Sequence, residues 1–402
     1  MFKKVIFNTG AQVVGKAITA SITLLITVII GKNLGPAGYG DFTKIFVFVG
    51  YFYTLADFGL NSIYIKIAKE NEITHLKPLL GLRLLIGISL ALVAVVASRF
   101  FPFDSTTATG FSPLVKTGIA IAALTIITQA IFTTTNAFFQ KILRYDLSTI
   151  SASLGYLAIL TTAVVVTFSS KSLLGYTSAY VVGGIIFAAA AYFQVANRIK
   201  KFFTPTFKIR EFSTFLKPAW PVGIALLFNL IYFRIDVLIL SNFRSSTEVG
   251  LYGLAYQFFE AALAIPIFFS NAIYPPLANF YKVSRQRFQK EVKNWLFILS
   301  GVSVLLTIAM FSVSLFIPAI FGKNFEGSVP ALQILSLGFP FFFISALLWH
   351  LLIIYDKQKY LTVIYAAGAI INIVANLIFI PSYGYIAASV ITVVSEALIT
   401  LL

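Results

Sequence analysis

The chain has 402 residues, no cysteine, two histidines and only 14 acidic side chains. Without cysteine, disulfides, thiol nucleophiles and thiolate metal sites are excluded. His75 and His350 are too far apart in sequence to suggest a metal pair, and they read as loop or interface residues. Glycine motifs that cradle phosphate in ATPases are missing, so the chain is no primary pump by itself.

What fills the sequence instead is apolar: 59% of residues, with 11% charged, against about 45–50% and about 25% in soluble domains. A membrane-spanning helix needs about 20 largely apolar residues. Twelve such segments begin near Asn8, Asp41, Leu79, Leu114, Leu147, Leu173, Phe212, Val249, Trp295, Val329, Tyr360 and Tyr383. The expected fold class is an all-α polytopic membrane protein of about 12 transmembrane helices. The opening MFKK resembles the charged region of a signal peptide, but its apolar run is too long and no cleavage pattern follows, so a retained first helix is expected. The last segment runs to Leu402, which leaves further helices open.

A formal charge of +16 invites a nucleic-acid reading. The placement of the cations argues otherwise. Of 30 Lys and Arg, 21 flank the N-terminus or the loops after even-numbered segments, Arg83 among them, and six flank the other side. That asymmetry is the positive-inside pattern and predicts a cytoplasmic N-terminus in the cell membrane. Attraction to anionic headgroups follows from the same distribution. The basic loops lack the glycine- and aromatic-bearing motifs of nucleic-acid modules, so no nucleic-acid partner is expected.

The most polar stretch, NRIKKFFTPTFKIREFSTFLK at Asn197 to Lys217, divides the chain into an N-terminal six-helix bundle, 1–196, a basic cytoplasmic linker, 197–217, and a C-terminal bundle, 218–402. Internal similarity supports the division. PAGYGDFTKIFVF aligns with EVGLYGLAYQFFE when Tyr39-Gly40 is set on Tyr252-Gly253. A parallel repeat of this kind suits one class of transporters, and also a channel or a passive scaffold.

Three cations remain inside the apolar segments: Lys16, Lys44 and Arg234. A lysine at a helix centre costs about 2.5–3.5 kcal/mol on insertion scales, so it usually faces a bundle interior or water. Lys16 has two readings, snorkelling to nearby headgroups or facing a hydrated cavity. Its neighbours favour the cavity. Helical spacing puts Asn8, Gln12, Lys16, Thr19, Thr23 and Thr27 on one stripe, and the fourth segment carries Thr125, Gln129, Thr133, Asn136 and Gln140 on another. Helix-to-helix hydrogen bonding is the bland alternative for both. Intramembrane acids are Asp57, Asp236, Glu260 and Glu396, each a partner for a cation on another helix or a carrier of ions. Arg234 and Asp236, two apart, fall on different helix faces. The repeat sets Lys16 on Asn229, Thr23 on Asp236 and Lys44 on Gln257. No catalytic set converges and no loop is long enough to fold alone, so no enzyme is expected.

NLGPAGYGDF, DFGLNSIYIKIAKEN, FRIDVLILS, VGLYGLAYQF and NIVANLIFIPSYGYIAAS, in this order along the chain, resemble the polysaccharide flippases, of O-antigen and teichoic-acid type, of the multidrug/oligosaccharidyl-lipid/polysaccharide exporter superfamily. The resemblance implies two pseudo-symmetric six-helix bundles around a central cavity. The implied cargo is a polyprenyl-diphosphate-linked oligosaccharide, carried to the outer leaflet by alternating access. Under it, Asn8, Gln12, Lys16, Thr23, Lys44, Gln129, Asn136, Asn229, Arg234 and Gln257 are the substrate-cavity candidates, and Tyr51, Tyr53, Tyr232 and Tyr256 stack on sugar rings. Asp57, Asp236, Glu260 and Glu396 are the candidates for coupling to H+ or Na+, with no other cofactor and no metal. Expected partners are the lipid-linked glycan and membrane lipids, with a polysaccharide polymerase or chain-length machinery as candidate neighbours of a monomer. A drug or cation antiporter, a lipid II flippase and a non-transporting scaffold for glycan assembly are the rivals.

Overall fold

The computed structural model describes residues 2–68 and 73–402, and all their side chains except those of residues 2–14, Ala225, Asn229 and Thr362. The order of elements is α1 (Phe2–Asp57), α2 (Leu60–Ile67), α3 (Leu76–Arg99), β1 (Phe103–Asp104), β2 (Thr109–Gly110), α4 (Pro113–Ala122), α5 (Leu124–Lys141), α6 (Tyr145–Ser169) and α7 (Leu173–Ile199). Then follow α8 (Ile209–Phe243), α9 (Ser246–Val283), α10 (Arg285–Ser314), α11 (Ile317–Phe321), α12 (Ser328–Ser336), α13 (Phe339–Ile354) and α14 (Gln358–Leu401). The protein is a multi-pass, all-helical membrane protein apart from one short hairpin.

Among the described residues, eight helices are long and apolar enough to cross a bilayer, and ten spans result if each of two bent helix pairs is taken as one. Two of the eight are double. The 53-residue stretch Gly15–Ile67 would run about 80 Å if straight, at 1.5 Å per residue, against a hydrocarbon core of about 30 Å. It breaks at Gly35, where φ 63° and ψ −179° suit only glycine. Pro36 follows, and a proline at a helix start loses no hydrogen bond. The second double helix, α14, breaks at Gly384 with φ 61°. Its two halves fold back on each other, because Asn372 Nδ2 donates to Ser395 Oγ at 3.2 Å, a bond that a straight helix would stretch to more than 30 Å. With each double helix divided at its glycine break, the described residues make twelve passes, one for each apolar segment of the sequence.

The chain forms two compact units, Met1–Leu230 and Ile231–Leu402, with the boundary inside α8. In unit 1, contacts fix the direction of the double helix α1. Gly15 abuts Thr149 in the first turns of α6, Lys44 reaches Gly110 in the hairpin, and Phe58 lies against Gly223 in α8. The first pass therefore runs from the basic end to the hairpin end, and the second returns. Helices α6 and α7 approach closely because Gly155 and Gly183 face each other; a methyl on either would fall within 3.0 Å of the other's carbonyl oxygen, the small-residue packing that membrane helices favour.

The basic segment Asn197 to Lys217 is not one connecting loop. Its last nine residues form the start of α8, because Phe212, Phe215 and Ala219 recur at helical spacing and enter the core with Leu60, Tyr64, Leu79 and Phe138. At the opposite end of unit 1, the hairpin of β1 and β2 is held by Asp104. Its carboxylate accepts from Thr106 Oγ1 at 2.6 Å, the Thr106 amide at 2.8 Å and Thr107 Oγ1 at 2.9 Å, which keeps it below the usual carboxylate range.

In unit 2, α9 packs on α12, α13 and α14, and α10 packs on α9, α12 and α13. Large apolar side chains of α10, among them Phe297, Leu305 and Ile308, point outward, as a lipid-facing wall requires.

Candidate functional site

In unit 1 the deepest charge is Arg83, which the sequence reading counted among flanking cations. The structure corrects that placement: Arg83 lies in the second turn of α3 and is fully buried. One terminal nitrogen, Nη2, donates to Asp57 Oδ1 at 2.6 Å and to Asn61 Oδ1 at 2.8 Å. Among the described residues, its Nε and Nη1 are buried without a partner. Asp57, still a third exposed, therefore has a built-in counter-ion. The second pass of α1 and the start of α2 supply both acceptors.

Lys44, expected to line the cavity, is 1% exposed. Its Nζ donates to Gly110 O at 2.9 Å and sits 3.8 Å from Asp41. It fastens the hairpin rather than facing water. Lys16 differs, being exposed on the first pass of α1. On the same stripe, Thr19 Oγ1 donates to Gly15 O and Thr23 Oγ1 to Thr19 O; on α5, Thr133 Oγ1 donates to Gln129 O. These hydroxyls donate to carbonyls of their own helix, and Thr133 is itself buried. Thr27 is buried, while Thr23, Gln129 and Asn136 are half-buried. The side chains of Asn8, Gln12 and Asn229 lie outside the described residues.

Unit 2 gathers its polar groups from α8, α9, α13 and α14. Arg234 pairs with Glu260 and stacks over the Tyr256 ring, 4.8 Å from its centroid. The pair is partly open, Arg234 at 25% and Glu260 at 46% exposure, and Gln257 beside it is half-buried. Asp236 takes a different role. Buried, it accepts from Tyr252 Oη and from the Val237 amide at 2.7 Å, and Thr392 Oγ1 lies 3.4 Å from the same phenol. Glu396, 1% exposed, accepts from Tyr232 Oη at 2.7 Å and from Ser345 Oγ. Among the described residues, neither Asp236 nor Glu396 forms an ion pair. Two buried carboxyls held only by neutral donors are a suitable place to load and release a proton or a small cation.

Two sequence expectations change here. Tyr232 and Tyr256 are buried and hydrogen-bonded, the latter to Phe233 O at 2.7 Å, so they serve the scaffold and not a sugar ring. Tyr51 and Tyr53 keep partial exposure. Sequence reasoning also missed Asn372 and Asn376, both buried, with Asn376 Nδ2 donating to Asn372 Oδ1 at 2.9 Å. Their spacing of four on α14 was the available signal.

Residues 5–281 match the family described as polysaccharide biosynthesis protein, and residues 221–378 match the MatE family. Among solved structures, the chain is similar to the lipid II flippase MurJ in an inward closed conformation, with TM-score 0.77 and 14% identity over 98% of this chain and 86% of that one. It is also similar to an inward-facing multidrug resistance MATE family transporter of the MOP superfamily, at TM-score 0.72 and 10% identity over 95% and 92% of the two chains. A MOP superfamily transporter from Pyrococcus furiosus follows at TM-score 0.62 and 11% identity, over 96% and 92%. No curated protein matches the sequence. At these identities the likeness is one of fold, the two-bundle fold of MurJ and the MATE transporters. The family match covers more than half of the chain, and the protein belongs to the polysaccharide biosynthesis protein family.

Proposed function

We propose that the protein is a secondary transporter that flips a polyprenyl-diphosphate-linked oligosaccharide from the cytoplasmic to the outer leaflet, by alternating access, for export of a surface polysaccharide. The observation that carries this reading is the polysaccharide biosynthesis family match over residues 5–281. The fold agrees with it, since a lipid II flippase shares it. The chemistry agrees as well. A diphosphate with a hydrophilic glycan needs a wet, cationic path, and Lys16 is an exposed membrane cation on a stripe that also carries Thr19 and Thr23. The basic ends face the cytoplasm under this reading, following the charge asymmetry. The two sequence halves, 1–196 and 218–402, act as the repeats, and Asp236 and Glu396 carry the coupling ion.

The test is leaflet protection: purified protein in liposomes with a polyprenyl-diphosphate oligosaccharide, following how fast the glycan becomes open to an external enzyme. Accelerated exposure is expected, falling on the order of tenfold in Lys16→Ala and less in Lys16→Arg, with both variants folded. No acceleration in the unaltered protein overturns the reading. A rate indifferent to ion gradients and to membrane potential removes the coupling role of the acids.

A second reading, cation antiport, is favoured by the MatE match over residues 221–378 and by the buried acids of unit 2. Ion-driven efflux of organic cations, with no glycan exposure, is its signature.

A further inference from the structure

Unit 1 contains a cavity of about 520 Å³ between α3, α5 and α7, in the half nearer the basic end, with Leu80, Leu84, Ile131, Ala189, Tyr192 and Pro205 in its lining. Its size falls in the ~300–1,000 Å³ range of ligand sites. The wall on the basic side is built, not incidental. Tyr192 Oη donates to Phe203 O at 2.6 Å and accepts from the Phe203 amide at 3.2 Å. The Thr206 amide donates to Lys77 O at 3.2 Å. Gly81 lets this segment lie on α3, because a Cβ there would come within 2.1 Å of Thr206 O.

The lining is almost entirely hydrocarbon, Thr128 and Thr204 being its only hydroxyls besides Tyr192, so ordered water has few partners inside. Ile185 and Phe193, both lining residues, are 54% and 53% exposed, so the cavity meets the lipid-facing surface. Arg198, Lys200 and Lys201 immediately precede the wall and are exposed. Phe202 stands out beside them. A hydrocarbon slot under a cationic, aromatic rim matches a phospholipid with an acidic headgroup.

We propose that this cavity binds one acyl chain of an anionic phospholipid of the surrounding bilayer, with the phosphate on the rim of Arg198, Lys200 and Lys201. The occupant is a membrane lipid and not the tail of a transported molecule. From α5 the cavity takes Thr128 and Ile131, not Gln129 or Asn136 of the polar stripe, and from α1 it takes nothing.

The experiment reconstitutes the protein in nanodiscs with equal parts phosphatidylglycerol and phosphatidylcholine, extracts it in mild detergent and counts retained lipid by native mass spectrometry. Phosphatidylglycerol is expected to be retained over phosphatidylcholine. Changing both Lys200→Gln and Lys201→Gln lowers that preference about thirtyfold, from the loss of two lysine–headgroup attractions. Ala189→Phe, which fills the slot, removes the retained lipid. The lysine variant changes only exposed side chains, so folding does not confound it. Equal retention of the two lipids, or retention unmoved in both variants, overturns the site. So does displacement of phosphatidylglycerol by added polyprenyl phosphate at lower concentration, which reassigns the cavity to a cargo tail. No glycan is present, so the result is independent of the flippase reading.

Discussion

Arg83 shows what a single buried charge demands. Its guanidinium has five N–H donors, and among the described residues only Nη2 is satisfied, by Asp57 and Asn61. Removing one partner of such a pair leaves an uncompensated charge, whereas replacing both with apolar groups is close to neutral. Asp57→Ala is therefore expected to destabilise the protein on the order of 3 kcal/mol, and the double change Asp57→Ala with Arg83→Met to recover most of that loss. Thermal unfolding in detergent, read as a double-mutant cycle, measures it; an unchanged midpoint in Asp57→Ala would assign the pair no structural weight. The pair also bears on coupling: Arg83 already supplies the countercharge at Asp57, so Asp236 and Glu396 are the better proposals for an ion carrier. From sequence, Asp57 was visible as an intramembrane acid that needs a partner. Arg83 was not, because it stands near the start of its apolar segment and meets a residue 26 positions earlier. Lys44 misleads for the same reason: that it is charged was legible, while its acceptor, a carbonyl 66 residues away, depends on how the hairpin folds back.

At the scale of elements, the passes were legible because hydropathy and the bilayer thickness fix them together, and because Gly35-Pro36 announces a turn. The Gly384 break needs more than glycine. Arg244 Nε donates to Glu248 Oε1 at 2.8 Å, Arg244 Nη1 reaches Pro381 O at 3.3 Å, and Glu248 Oε2 accepts the Tyr385 amide at 3.3 Å. An ion pair from the α8–α9 turn thus satisfies backbone groups that the break in α14 frees. A Cβ on Gly384 would fall 2.1 Å from Glu248 Oε2. Gly384→Ala is expected to cost more than the ~1–3 kcal/mol of left-handed backbone strain alone, since it also displaces the carboxylate. Glu248→Ala with Gly384→Ala should then cost less than the two single losses combined. Additive losses in a thermal-shift comparison would show that the clamp and the break are independent. The helical start of α8 was hidden by six cations in 21 residues, which read as a solvated linker although Phe212, Phe215 and Ala219 carry the helical period.

For the whole molecule, the direction it faces is directly testable, and the sequence supplies the tool. With no cysteine in 402 residues, any introduced cysteine is the only thiol, and an impermeant maleimide reports its side of the membrane. Two exposed positions in unit 1 lie at opposite ends: Ser105 in the hairpin and Lys200 after α7. The hairpin carries Asp104 and no cation, whereas Arg198, Lys200 and Lys201 cluster at the other end. Translocating each such cation is disfavoured, and short loops obey that bias most strictly. Ser105→Cys is therefore expected to react in intact cells, and Lys200→Cys only after permeabilisation. The reverse pattern would turn the molecule over and with it the direction of the proposed flipping, because the leaflet that Lys16 meets first, near the basic end of α1, would then be the outer one. Labelling of both positions in intact cells would mean dual insertion, which the cation asymmetry, 20 to 6 once Arg83 is placed inside the bundle, argues against.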